Sequence, residues 1–351
     1  MIIALIGDDF IKNELMEKAI REKLGKDKTL DFRYGFVNWP DEPFISGEEV
    51  KEYVGKEDDV LKVTADAEIV VTQLAPITYR VISSSPKLKI IGCCRGGPVN
   101  VNIRAATEKG IPVINTPGRN VVATAEFTVS MILCLLKRIL PAHFNLKEGV
   151  WRGDFYKFEK CGEEIFGKKV GIVGFGRIGK KVCKILLSLG ASVVVYDPYV
   201  NEEVIIEAGA RPVDLKTLLK ESQIVTLHAR LTDENYKLIG EKEISFMQPD
   251  SYIINVARGG LLDYDALYSA LKNGKLAGAA LDTYDPEPPS PDSPLLKLDN
   301  VVLTPHIGGS SKKTALNGIN MLVEDISRYL QGEIPENCVN PEVFEGNKTG
   351  R

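Results

Sequence analysis

The stretch Val170-Gly171-Ile172-Val173-Gly174-Phe175-Gly176-Arg177-Ile178-Gly179 decides the fold. Its first four residues are a short β-prone run, and the apolar spacing from Lys180 to Leu189 is helical, so the glycines fall on a strand-to-helix turn. Gly174 permits the tight bend, Gly176 lets a pyrophosphate approach the backbone, and Gly179 lets helix and strand pack closely. The phosphates then face a helix N-terminus, whose unpaired amides and positive dipole end favour anions. Working outward, the next apolar run, Ala191 to Tyr196, ends at Asp197, eighteen residues after Gly179. A carboxylate there accepts both ribose hydroxyls and repels a 2′-phosphate. Pro198-Tyr199 adds no neighbouring arginine, so the segment predicts NAD and not NADP. A turn-capping aspartate is the plainer alternative for Asp197.

Short apolar runs alternate with helical patterns along the rest of the chain. They are Ile2 to Ile6, Ile69 to Thr72 and Ile90 to Gly92, then Val170 to Val173, Val193 to Tyr196, Ile224 to Leu227, Ile253 to Val256 and Val301 to Thr304. This alternation predicts an α/β protein with parallel sheets of buried strands. Only the second group carries the dinucleotide fingerprint, so the groups are read as two domains, which 351 residues accommodate. Lysines and carboxylates are interleaved and the net charge is -4, leaving no basic footprint for nucleic acid. Met1 to Ile6 lacks a basic leader and reads as a first strand; Val129 to Leu136 is too short to span a bilayer, so no membrane contact is expected. The six cysteines show neither metal-ligand spacing nor a dense framework. Reduced thiols, a cytoplasmic setting and no metal follow as expectations.

Five pieces stand in order: Asn115-Thr116-Pro117, the glycine turn, Ile254-Asn255-Val256-Ala257-Arg258-Gly259-Gly260, Ala279-Ala280-Leu281-Asp282 with Pro286-Glu287-Pro288, and Thr304-Pro305-His306-Ile307-Gly308-Gly309-Ser310. On these the chain resembles the D-isomer-specific 2-hydroxyacid dehydrogenases, the group that includes phosphoglycerate, glyoxylate and D-lactate dehydrogenases. The resemblance covers nearly the whole length. It implies two Rossmann-like, flavodoxin-like parallel-sheet domains with the active site in the cleft between them. Residues 1-117 and 308-351 would form the substrate domain and 118-307 the NAD-binding domain. The chain would re-enter the first domain through a helix, for which Ala315 to Leu330 has the amphipathic spacing. The regulatory extension that some phosphoglycerate dehydrogenases carry is not expected here. The resemblance further implies hydride transfer between NAD(H) and a 2-hydroxy/2-oxo acid pair. It also implies a homodimer built on an arm near Ala142 to Trp151, where Phe144, Leu146, Val150 and Trp151 could make an apolar contact. Arg177 and Ile178 would present backbone to the pyrophosphate, Val256 would line the cofactor, and Asp282 would hold the nicotinamide carboxamide. A helix or turn cap is an equal alternative for Asp282.

Oxidising a secondary alcohol by hydride loss needs a base for the hydroxyl proton, a cation for the carboxylate and a held cofactor face. Of the three histidines, His306 follows Val302-Leu303-Thr304-Pro305 at the C-terminal edge of a strand, where α/β sites form, and is the expected base. A cap on the Gly308-Gly309 turn is its alternative. His143 lies in a charged helical neighbourhood and His228 at a strand end. The resemblance pairs His306 with Glu287, flanked by Pro286 and Pro288, and makes Arg258 the guanidinium fork for the substrate carboxylate. A rigid exposed loop and a structural ion pair are the corresponding alternatives.

The substrate loop departs from the family pattern. Where phosphoglycerate dehydrogenases resemble Gly-Arg-Ala-Gly-Thr-Gly, this chain reads Gly92-Cys93-Cys94-Arg95-Gly96-Gly97-Pro98, with Cys93 at the arginine position. Backbone around Arg95, Gly96 and Gly97 is expected to nest a carboxylate, and Arg95 and Arg119 to add cations. The substrate is then a polar or phosphorylated hydroxy acid, such as 3-phosphoglycerate, glycerate or a sugar-derived acid, and not lactate. The Glu287 and His306 pair argues against formate as substrate. A non-enzymatic NAD(H)-sensing protein of the same fold is the alternative function.

Overall fold

Buried isoleucines, valines and alanines build two all-parallel sheets in the computed structural model, which describes residues 1–25, 29–40 and 44–349. Each sheet belongs to its own compact unit: Met1–Asn120 with Ser311–Arg351, and Val121–Ser310.

Unit one contains β1 (Ile2–Gly7), β2 (Asp31–Phe36), β3 (Ile69–Thr72), β4 (Ile90–Cys93) and β5 (Val113–Ile114), in the spatial order β2-β1-β3-β4-β5. Every residue of β3 and β4 is buried, because helices cover both faces; this is why these strands read as unbroken apolar runs. The helix Lys312–Leu330 closes one face by burying Ala315, Ile319, Leu322, Val323 and Ile326 against Ile3, Leu5, Ile69 and Ile90. It packs so close that a Cβ on Gly92 would fall 2.6 Å from Leu322 Cδ2. The segment after it returns to β5 through buried Asn340. Its Oδ1 accepts from Val113 N (2.8 Å), and its Nδ2 donates to Thr107 Oγ1 (2.9 Å) and Ile111 O (3.0 Å).

Unit two contains β6 (Lys169–Val173), β7 (Ser192–Tyr196), β8 (Arg211–Pro212), β9 (Ile224–Leu227), β10 (Ser251–Asn255), β11 (Leu276–Leu281) and β12 (Val301–Leu303). Their order is β12-β11-β10-β9-β6-β7-β8. The winding reverses at β6, which pairs with β7 on one side and β9 on the other, so the glycine turn that follows β6 lies at the topological switch point. The helices Val121–Leu136 and Arg177–Ser188 bury one face of this sheet, and the helices Leu215–Glu221 and Tyr264–Lys272 the other. Val129 to Leu136 is thus the second half of a core helix. Among the described residues no helix is long and apolar enough to cross a membrane.

Four strands lie outside the apolar runs read from sequence. Edge strand β2 alternates buried Phe32 with polar neighbours, β5 and β8 are two residues each, and β11 is Leu-Ala-Gly-Ala-Ala-Leu. Small residues in β11 answer to packing, not to strand propensity: a Cβ on Gly278 would fall 2.7 Å from Asn300 O and 3.2 Å from Leu135 of the covering helix. As a check on unit one, Asn340→Ala strands one buried amide and one buried carbonyl. It should cost about 2–3 kcal/mol in urea unfolding.

Candidate active site

The glycine turn has the geometry that a dinucleotide requires. Gly174 sits at φ 94°, and a Cβ there would fall 2.4 Å from Ala229 N; one on Gly179 would fall 2.2 Å from Gly174 O. Gly176 is exposed, with no atom within 4 Å of a Cβ position, and as N-cap of Arg177–Ser188 it brings no side-chain acceptor to that helix end. No N-cap side chain stands between that helix end and an approaching anion. Asp197 ends β7 and is tied to the turn itself: Oδ2 accepts from Phe175 N (2.6 Å) and Oδ1 from Tyr199 N (2.9 Å). Each carboxylate oxygen retains a second lone pair, so capping the turn and accepting ribose hydroxyls are compatible. Behind the turn, His228 ends β9, with its N–H on Val173 O (2.7 Å) and its Nε2 2.9 Å from Thr226 Oγ1. Burial pushes its imidazole down to about 3, so it remains neutral at physiological pH.

The three residues expected to carry chemistry, Arg258, Glu287 and His306, sit on three loops that follow the adjacent strands β10, β11 and β12. His306 Nδ1 lies 2.5 Å from Glu287 Oε1, and both side chains are partly open to solvent. His306 itself is in the left-handed region at φ 54°. What holds it there is Asp282, only 1 % exposed. Its Oδ1 accepts from Thr304 Oγ1 (2.6 Å) and Ile307 N (2.8 Å), and its Oδ2 from Gly308 N (2.8 Å). Tyr284 adds a second tie, its hydroxyl donating to Thr304 O (2.9 Å) and Leu281 O (3.2 Å). Arg258 is exposed; its Nη1 donates to Ala257 O (2.7 Å). Buried Asn255 fixes that loop, giving Nδ2–H to Arg258 O (2.9 Å) and taking Ala257 N–H on Oδ1 (3.1 Å). A Cβ on Gly259 would fall 1.8 Å from Tyr284 O, so the arginine loop and the glutamate loop meet backbone to backbone. Val256 is buried against Gly308. Exposed His143 stacks edge-on with Phe144 in the helix Ile139–Lys147.

In unit one, the substrate-loop residues line the C-terminal edge of the five-stranded sheet. Arg95 is held by Glu52, through an ion pair to its carboxylate and a 2.8 Å bond from Nη1 to its carbonyl. Gly96 and Gly97 have open space where a Cβ would stand. Arg119 Nη1 donates to Gln73 Oε1 (2.8 Å), and its guanidinium lies over the Phe10 ring at 5.7 Å. Cys93 and Cys94 are fully buried, and burial pushes their thiols up to about 11 and about 12, which keeps them protonated and unreactive. Sequence reading missed Glu52, Gln73 and Asp8, which shape this edge.

Residues 129–308 match the model for the D-isomer specific 2-hydroxyacid dehydrogenase NAD binding domain. The chain belongs to this family. It is 35 % identical over 341 residues to a glyoxylate reductase of Korarchaeum cryptofilum, covering 97 % of this chain and 98 % of that one. It is 41 % identical over 292 residues to a D-3-phosphoglycerate dehydrogenase of Archaeoglobus fulgidus, covering 83 % of this chain but 55 % of that one. The chain thus spans just over half the length of that curated relative. Among solved structures, the NAD-complexed D-isomer specific 2-hydroxyacid dehydrogenase of Lactobacillus delbrueckii ssp. bulgaricus superposes with a TM-score of 0.76 at 27 % identity, covering 97 % of this chain and 100 % of that one. The matched domain binds NAD, and the open glycine turn with Asp197 just after β7 fits that dinucleotide. Asp197→Asn keeps an acceptor for Phe175 N–H but removes the charge. It should narrow the preference for NADH over NADPH about tenfold in fluorescence titrations; an unchanged preference would leave Asp197 only its capping role.

Proposed function

We propose that this chain is an NAD-dependent D-2-hydroxyacid dehydrogenase that interconverts a polar 2-oxo acid and its D-2-hydroxy acid. The observation that carries the reading is the His306 to Glu287 contact, which occupies Nδ1 and leaves Nε2 as the only ring nitrogen able to exchange a proton with substrate. Bound NADH supplies the hydride for the carbonyl carbon, and bound NAD accepts it in reverse. In the reducing direction His306 gives its Nε2 proton to the carbonyl oxygen while Glu287 keeps accepting Nδ1–H, so the imidazolium is stabilised before transfer and the ring stays oriented after it. In the oxidising direction neutral His306 takes the hydroxyl proton through the same nitrogen. Arg258 spends Nη1 on Ala257 O and offers the remainder of its fork to the substrate carboxylate, next to the carbonyl that it polarises. Gly96 and Gly97 amides, with Arg95 and Arg119, are assigned to substrate binding, and Arg177, Ile178, Val256 and Asp282 to the cofactor side.

The relatives' names, phosphoglycerate dehydrogenase and glyoxylate reductase, bracket the substrate as a small polar 2-oxo acid. All six cysteines are free thiols, which suits a cytoplasmic enzyme. We assign a homodimer to the arm that starts at the helix Ile139–Lys147. None of that helix is buried, and Trp151, Tyr156 and Phe158 stand 82 %, 97 % and 88 % exposed in the single chain. Phe144→Glu with Trp151→Glu should sediment as a monomer. A sensor that binds NADH without turnover is the competing reading, and His306→Ala separates the two. Loss of about 10²–10⁴-fold in turnover with NADH affinity retained supports the dehydrogenase. A wild-type protein that binds NADH and reduces no 2-oxo acid would support the sensor.

A further inference from the structure

The order β2-β1-β3-β4-β5 places a second switch point between β1 and β3, where ligands of doubly wound sheets meet the carboxyl ends of the strands. Asp8 follows β1 and Gln73 follows β3, with Arg95 after β4 and Arg119 after β5. Asp8 is completely buried. Its Oδ1 accepts from Phe10 N (2.8 Å) and Ile11 N (2.7 Å), while its Oδ2 has no hydrogen-bond partner. Gln73, 1 % exposed, places its amide oxygen on Arg119, and Asn317 Nδ2 donates to Arg119 O (3.3 Å) from the closing helix. Two carboxylates therefore accompany the two arginines of this edge. Arg95 is ion-paired with Glu52, and Arg119 lies within electrostatic reach of the buried Asp8 carboxylate without a direct ion pair to it.

Resting on the dehydrogenase reading and narrowing its substrate, we infer that Asp8, Gln73, Arg119 and the Arg95 to Glu52 pair form a charge-balanced surface that selects an uncharged, hydroxylated substituent on the 2-oxo acid over a phosphorylated one. A phosphate dianion needs a surplus of positive charge, and here that surplus is cancelled. A hydroxyl needs only a hydrogen-bond partner, and Arg119, held by Gln73, offers its remaining N–H groups. Asp8 and Glu52 act through the arginines and are positioning residues. The charged and titratable groups that face this edge are Asp8, Asp9, Glu52, Arg95, Arg119, Cys93 and Cys94. Burial raises the Asp8 carboxyl to about 6 while the two thiols stay protonated, so Asp8 is the group here that changes charge between pH 5.5 and 7.5. As pH falls through about 6 it takes a proton and uncovers Arg119.

The test compares kcat/KM for hydroxypyruvate and phosphohydroxypyruvate in the wild type, Asp8→Asn, Glu52→Gln and the double variant. The wild type should favour hydroxypyruvate, and the double variant should move the ratio at least about tenfold toward the phosphorylated substrate. Sulfate, dianionic throughout, gives a readout that needs no turnover. Its stabilisation of the wild type in thermal unfolding should grow from pH 7.5 to 5.5, and in Asp8→Asn it should already be present at pH 7.5. A wild type that prefers phosphohydroxypyruvate, or a double variant with an unchanged ratio, overturns the inference and leaves the dehydrogenase standing. If neither substrate turns over although NADH binds, the dehydrogenase reading fails, and sulfate binding still decides whether the edge is charge-balanced. Should the variants not fold, a wild-type sulfate effect that is equally strong at both pH values overturns it.

Discussion

The loop that carries His306 depends on one buried carboxylate. Asp282, at the end of β11, gathers Thr304 Oγ1, Ile307 N and Gly308 N from the loop beyond β12. Those three bonds leave His306 no freedom to relax from φ 54°, a conformation that costs a non-glycine residue about 1–3 kcal/mol. Three hydrogen bonds to a carboxylate only 1 % exposed act against that cost. With the backbone so held, the imidazole meets Glu287, and Tyr284 and Asn255 hold the flanking loops in register. His306 and Glu287 are thus partly exposed, while Asp282, Tyr284 and Asn255, which fix their loops, are buried.

Much of this architecture was legible in the sequence, for identifiable reasons. The glycine turn could be read because each glycine answers to a local demand, whether a positive φ at Gly174 or the backbone approach at Gly179. Strands such as β3, β4 and β9 could be read because covered parallel strands are apolar at every position. His306, Glu287 and Arg258 were picked from three short segments, and the structure brings their loops together on neighbouring strands. Asp282 had two open assignments, and the structure shows it as the tie of the histidine loop.

What stayed hidden depends on contacts distant in the chain. Glu52 lies 43 residues from Arg95 and Gln73 lies 46 from Arg119, with no periodicity to announce either pairing. From sequence alone, Arg95 and Arg119 count as two surplus cations suited to an anion. In the fold Arg95 is ion-paired with Glu52 and Arg119 is bonded to Gln73, so neither is a surplus cation without a partner. Strand β11 escaped for a related reason: its alanines and glycine are set by the helix lying on them, a tertiary demand that local propensity does not carry.

The most direct measurement of the central claim follows the hydride itself. The protein would be incubated with hydroxypyruvate and NADH carrying deuterium at the transferable position, and the glycerate formed would be analysed for isotope and configuration. The account predicts deuterium at C2 of D-glycerate in amounts equal to the NADH consumed. L-glycerate, or product without deuterium, would contradict it.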